Sequence, residues 1–372
     1  METVHHALEA GKNVSEKPVR AAGEVFLLGA GFSRAISEAM PLLQDLSDHL
    51  RRKWGDTDRV PSEVLEMMED NFAHALSYLE QAKPWLTEAD NLRHRALFLE
   101  FSSLIAEDLE EIVRDLTADA RPAVPPWVGR LIRYWHENRC VVLTLNYDTL
   151  IESIAARTRV HDGDGIAARD MYPPLLTDAG LRSGISTEGR PRATFRLLKL
   201  HGSTNWYYSG RALAQGEPIY FVPPREREAE ACDRHQLRLR SVADKYPFLV
   251  PPIFDKSALF THETIRALWF EAGETLRRAT RLVSMGYSLP ESDLTMMHFL
   301  RTRLGESVEL EIVDPSESAA ENFQRVLARH PVHLGRSTSG PHCIRHFVES
   351  LPTTAENKKK SERGRIENEP RR

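Results

Sequence analysis

The stretch Val141-Val-Leu-Thr-Leu-Asn-Tyr-Asp-Thr-Leu150 constrains the fold most. Its apolar, β-branched run reads as a buried strand, yet it ends in Asn146 and Asp148, residue types that strands avoid. Open parallel sheets bind ligands just beyond the carboxyl ends of their strands, so an Asn-x-Asp there is placed to meet a ligand rather than to fill a core. Two further segments repeat the pattern. Glu24-Val-Phe-Leu-Leu-Gly-Ala-Gly31 runs from an apolar strand into a glycine turn, and Phe195-Arg-Leu-Leu-Lys-Leu-His-Gly202 runs from a strand into His201. Three such strand ends point to one shared site.

The rest of the chain reads as strands alternating with helices, which predicts an α/β fold: a Rossmann-like, doubly wound parallel sheet. Strands are expected at 24–29, 140–145, 196–200, 281–285 and 308–313, with short ones at 219–222 and 248–250. Helices are expected from Ser33 onward, around 127–135, and over 149–156, 262–279, 293–303 and 317–329. Residues 61–119 carry Val64, Leu65, Met67, Met68, Phe72, Leu76 and Leu79 at helical spacing, predicting a helical insertion that either packs, covers the site or mediates oligomer contacts. Trp85, Trp127 and Trp135 are read as packing residues. Residues 157–194, rich in Gly, Asp, Pro and Arg, read as a long loop. One domain over 23–350 is expected, with a loose lead-in over 1–22 and a disordered tail over 351–372.

Composition excludes several classes. The 372 residues carry a net charge of −5, which gives no argument for nucleic acid or an anionic membrane as partner. The start lacks a secretory signal, and no apolar stretch approaches the roughly 18 residues of a membrane span. The 3 widely spaced cysteines offer neither a disulfide framework nor a thiolate zinc site. A cytoplasmic protein without a metal is expected.

Each site segment has a functional and a plainer reading. Gly29-Ala-Gly31-Phe-Ser33-Arg34 either cradles a phosphate at a helix start or uses glycine only for a tight turn. It lacks the third glycine and the downstream acid of a dehydrogenase fingerprint, which disfavours hydride transfer. Asp148 either faces a ligand or caps the helix that follows, and Asn146 either faces a ligand or satisfies a turn. His201 is either a base or a core histidine donating to a carbonyl. Gly286, Ser288 and Asp314 add two more strand ends; Asp314 suits a ribose hydroxyl acceptor or a simple Asp-Pro turn.

Taken together, these segments resemble the sirtuin-like superfamily, in particular its bacterial antiphage-defence branch. The resemblance rests on residues 29–34, Met40-Pro-Leu42, Thr144-Leu-Asn-Tyr-Asp148, Lys199-Leu-His-Gly-Ser203 with Trp206, Pro251-Pro252 with Lys256, and Gly286-Tyr-Ser-Leu-Pro-Glu-Ser-Asp293. It implies NAD as substrate, bound across the strand ends and cleaved between nicotinamide and ribose. By that likeness Asn146, Asp148 and His201 are catalytic, with His201 as general base. Gly29, Ala30, Gly31, Phe32, Ser33, Arg34, Gly286, Ser288 and Asp314 surround the diphosphate and adenosine. The chain lacks the four-cysteine zinc ribbon and the Gly-Ile-Pro-x-Phe-Arg run of the protein-deacetylating sirtuins, which puts deacylation in doubt. The expected function is NAD hydrolysis by a defence effector, controlled as a homo-oligomer or by a partner protein. NAD-dependent deacylation, ADP-ribosyl transfer and a non-catalytic NAD or ADP-ribose sensor are the alternatives.

Overall fold

A computed structural model describes residues 23–54, 60–118, 124–160, 163–182, 184, 191–210, 216–224, 229–251, 253, 256 and 259–352. The expected lead-in over 1–22, the expected tail from 353 onward and Pro252 lie outside the described residues.

The strands in chain order are β1 (Glu24–Leu28), β2 (Val141–Thr144), β3 (Thr177–Asp178), β4 (Arg196–Lys199), β5 (Gly202–Tyr208), β6 (Tyr220–Phe221), β7 (Tyr246–Leu249), β8 (Arg281–Met285), β9 (Glu309–Val313) and β10 (His333–Thr338). Six of them form one parallel sheet in the order β4-β2-β1-β8-β9-β10. Counted among themselves along the chain, these strands run 3-2-1-4-5-6, the doubly wound order of dinucleotide-binding sheets. The expected α/β class holds. The order reverses between β1 and β8, and the turns after these two strands flank the crevice.

The central strand is covered on both faces, and Val25, Phe26, Leu27 and Leu28 are all 0% exposed. That is why it reads as a continuous apolar run rather than an alternating one. Helix Pro126–Asn138 sets Trp135 edge-on against Phe26, with ring centroids 5.5 Å apart. Pro126 opens this helix where its missing N–H costs nothing, and Arg139 closes it in a left-handed conformation.

The insertion between β1 and β2 contains helices Leu43–Trp54, Ser62–Asp70, Phe72–Glu80 and Glu88–Leu116. Asn71 ends one helix and caps the next by accepting the amides of Ala73 and His74. Thr87 caps the long helix, whose first turn carries Glu88 and Asp90. Met68, Phe72, Phe98 and Leu109 join the same apolar core as the sheet. Trp85 corrects the packing expectation: it is 73% exposed.

Several elements escape the sequence reading. β5 begins directly after His201 and pairs into a second sheet, β3-β6-β5-β7. It is buried at every residue but Tyr207 and so lacks a polar-apolar alternation. Helix Ala229–Ser241 lies between the short strands expected at 219–222 and 248–250, where no element was expected. Asp314 does not end the last strand, because β10 and helix Cys343–Ser350 follow. β10 is an exposed edge strand whose one large apolar residue, Leu334, is half exposed, leaving no hydrophobic pattern to read.

Candidate active site

The strand ends line one cavity of about 1210 Å³, with Gly29, Ala30, Gly31, Ser33, Arg34, Asn146, Asp148, His201, Gly286, Ser288 and Asp314 all in its wall. The sheet order brings them together, since β1, β2, β4, β8 and β9 all point their carboxyl ends the same way. Phe32 is the exception and a correction. Its ring is buried against Trp127 and Trp135, at 6.1 and 6.2 Å between centroids, and does not line the cavity.

The glycine turn is governed by crowding. A Cβ on Gly29 would lie 2.6 Å from the Gly286 carbonyl oxygen, and one on Gly31 would lie 2.9 Å from the Gly286 Cα. Gly31 donates its amide to that same carbonyl at 2.9 Å, so this N–H is already committed. Gly286 has φ +61, and a Cβ there would sit 2.1 Å from the Phe32 nitrogen. The steric reading of these glycines therefore has a direct physical cause. Arg34 is similarly engaged, donating to the Met40 carbonyl at 2.9 Å and to Asp45 at 3.0 Å. It holds the Met40–Leu42 segment over the cavity wall.

Asn146, Ser33 and Asp148 form a hydrogen-bond chain across two strand ends. The Asn146 Nδ2 donates to the Gly29 carbonyl at 2.9 Å and to the Ser33 Oγ at 3.0 Å. Ser33 in turn donates to the Asp148 Oδ2 at 2.7 Å. Both Asn146 amide protons are thus used, and its Oδ1 is left as the acceptor for a ligand. The Asp148 Oδ1 accepts the Leu150 amide at 3.1 Å from one residue before Thr149, which is the N-cap of the helix that follows. Burial raises the Asp148 pKa, opposed by the Lys199 charge and the Ser33 hydroxyl.

Lys199 underpins this loop. Its Nζ donates to the carbonyls of Tyr147 (3.3 Å) and Asp148 (2.6 Å) and pairs with Glu152 at 3.0 Å. Lys199 and Glu152 side chains are each 1% exposed. The Tyr147 hydroxyl donates to the Val250 carbonyl at 2.7 Å, and the Val250 amide donates to the His201 carbonyl at 2.8 Å. The Asn-x-Asp turn and the histidine turn are therefore tied through Tyr147.

His201 is buried, and its Nε2 has no hydrogen-bond partner among the described residues. Gly202 follows in the left-handed region at φ +81, with a Cβ position 2.1 Å from the Phe248 carbonyl. Burial first, then the charge of Lys256, lower the His201 pKa to about 3, while Asp293 works the other way. His201 is a neutral imidazole at pH 7. Beside it, Lys256 pairs with Asp293 at 3.4 Å, and the Tyr287 hydroxyl donates to Asp293 at 2.8 Å. At the far end, the Asp314 Oδ1 accepts the Ser316 amide at 2.9 Å, and burial raises its pKa. The Ser288 carbonyl is fixed by Asn322 at 2.9 Å.

Lys199, Tyr147, Lys256 and Asp293 lie in the motifs that carry the resemblance, but the sequence assigned none of them a role in the site. A lysine between Leu198 and Leu200 and a glutamate between Ile151 and Ser153 were the signal: two charges in apolar elements imply each other. Among the described residues, no group of three or more His, Cys, Asp or Glu is placed to hold a metal ion. No helix there is long and apolar enough to cross a membrane.

No family model matches the chain, and no curated protein matches it. Solved structures similar to it include a Sir2 enzyme studied for mechanism and regulation, at 16% identity over 89% of this chain and 92% of that one, TM-score 0.34. A sirtuin studied for substrate affinity is 15% identical over 88% of this chain and 91% of that one, TM-score 0.34. A Sir2 mutant with a p53 peptide and NAD is 14% identical over 82% of this chain and 92% of that one, TM-score 0.27. Likenesses at these scores carry no argument about chemistry; the α/β class stands on the strand order of the sheet itself.

Proposed function

We propose that the chain is an NAD+ glycohydrolase that cleaves the nicotinamide–ribose bond to give nicotinamide and ADP-ribose. One observation carries the reading: Asn146, whose Oδ1 has no partner among the described residues, and His201, whose Nε2 has none there either, line one cavity at the switch point of a doubly wound sheet. Each of the motifs that resemble the defence branch of the sirtuin-like superfamily contributes at least one residue to that same wall: Gly29, Met40, Asn146, His201, Lys256 and Gly286.

The chemistry asks little of an acid, because nicotinamide leaves as a neutral molecule. The site has to steady an oxocarbenium-like ribose and place the nucleophile. The Asn146 Oδ1 accepts from the attacking water or a ribose hydroxyl. His201, neutral at pH 7, offers a lone pair as base to the same groups. Asp148 fixes the loop through Ser33 and anchors the nicotinamide ribose. Ser288 and Asp314 take the adenosine end, and the glycine turns let the ligand approach the backbone.

In a bacterial cell such an enzyme acts on the cytoplasmic NAD pool as an antiphage effector. Unchecked NAD loss kills the host, so a homo-oligomeric state or a partner protein controls it. Light scattering that finds only monomer, together with full constitutive activity, contradicts that control.

Hydrolysis is separated from acyl or ADP-ribosyl transfer by one assay: nicotinamide and ADP-ribose formed from NAD with no protein acceptor present. The low basicity of His201 favours a second reading, a module that holds NAD without turnover. Retention of NAD with no nicotinamide release decides for it.

A further inference from the structure

The cavity wall holds an ion pair to which the NAD-cleavage reading gives no role. Lys256 and Asp293 side chains are 9% and 12% exposed and meet at 3.4 Å, both lining the cavity beside His201. Asp293 sits at the start of helix Leu294–Arg303 and accepts the Met296 amide at 3.4 Å. A cap alone explains that contact. It does not explain why the same carboxylate is also given a buried lysine and the Tyr287 hydroxyl, at 2.8 Å, on the wall of the cavity that holds His201. Taking two charges out of water is expensive and does not by itself stabilise a fold. Paired charges kept at a cavity wall, next to a histidine with an unpartnered nitrogen, mark a place where charge is used.

Resting on the NAD-cleavage reading, we infer that Asp293 is a further catalytic residue, the carboxylate that receives the proton of the attacking water. The C1′–N bond breaks with its electron pair going to nicotinamide, which leaves neutral. The water oxygen bonds to C1′, and one water proton passes to the Asp293 carboxylate and then to solvent, so that NAD+ and water give nicotinamide, ADP-ribose and a proton. Lys256 and Tyr287 keep the carboxylate ionised and oriented. Burial works to raise the Asp293 pKa, while the Lys256 charge, the Tyr287 hydroxyl and the Met296 amide work the other way, and the carboxyl lies below its ordinary value. His201 is then free to accept from a ribose hydroxyl, so the two bases divide the work.

The test is nicotinamide release from NAD by the full chain and by Asp293→Ala, with and without sodium azide, alongside NAD binding. Azide is an anionic nucleophile and needs no base. The expected result is a fall in kcat on the order of 10²–10⁴-fold in water, with NAD affinity kept. Azide then restores release and yields 1-azido-ADP-ribose, identified by mass. Asp293→Asn, which keeps the side-chain shape, should show the same loss in water while matching the wild-type melting temperature more closely. Undiminished turnover in Asp293→Ala overturns the inference alone. So does a loss that azide leaves untouched in a variant that still binds NAD, since that outcome marks a cap and nothing more. No release from the wild type overturns the inference and the NAD-cleavage reading together.

Discussion

The Ser33 hydroxyl donates to the Asp148 Oδ2 at 2.7 Å, joining helix Ala30–Ile36, which follows β1, to the turn after β2 across 115 residues of sequence. The same oxygen accepts from Asn146, so one hydroxyl fixes both members of the Asn-x-Asp pair. Geometry at the candidate active site depends on this link.

Ser33→Ala removes it and leaves the buried Asp148 carboxylate short of a donor. The expected cost is about 1–3 kcal/mol in urea denaturation. Nicotinamide release should fall on the order of 10²-fold, because both side chains lose their orientation. Unchanged kinetics would show that Asn146 and Asp148 are held by other contacts.

Lys199→Met leaves Glu152 charged and buried, with the Tyr172 hydroxyl as its remaining partner at 2.6 Å. Breaking a buried pair this way costs roughly 3–5 kcal/mol. Adding Glu152→Leu should recover part of the stability, since an apolar pair is tolerated there. It should not recover NAD cleavage, because the Tyr147 and Asp148 carbonyls still lack the Lys199 donor. Chemical denaturation and a nicotinamide assay on the wild type and the two variants separate the two effects.

Gly286→Ala and Gly340→Ala make a matched pair. Both glycines have left-handed φ, +61 and +91, but a Cβ at Gly286 meets the Phe32 nitrogen at 2.1 Å while one at Gly340 meets nothing within 4 Å. Each substitution carries a backbone strain of about 1–3 kcal/mol. Only Gly286→Ala also forces the two central turns apart. Its melting temperature should drop well below that of Gly340→Ala; equal drops would mean that φ alone decides.

His201 gives stability a pH dependence with a definite sign. Its pKa falls from 6.5 to about 3 on folding, so between those values the unfolded chain binds a proton that the native chain does not. Stability contributed by the neutral buried ring is present above about pH 6.5 and is lost as pH falls toward 3. His201→Gln should flatten the denaturation free energy over that window. A slope identical to the wild type would place the titration elsewhere.

The sheet was legible because its central strands are buried on both faces and end abruptly in glycine or polar residues, as at Leu28–Gly29 and Leu145–Asn146. The order of those strands also made the cavity legible, since strand ends on one side must share a crevice. Three things were not. β5 has no alternation, β10 has no apolar face, and Trp85 looks like any core tryptophan until its surroundings are known. Within the site, Phe32 sits in a binding-type motif but turns its ring into the core, because it is the residue of helix Ala30–Ile36 that faces Trp127 and Trp135. The committed donors of Gly31 and Arg34 belong to the same class: motif spacing shows which groups are near a ligand, and only tertiary contacts show which are already engaged.

The most direct test of the account is a time course of nicotinamide release from NAD by the purified chain, run beside Asn146→Ala and His201→Ala. The account predicts nicotinamide and ADP-ribose from the wild type in equal amounts, and loss of both products in each variant while NAD still binds. Release that survives either substitution, or a wild type that neither binds nor cleaves NAD, contradicts it.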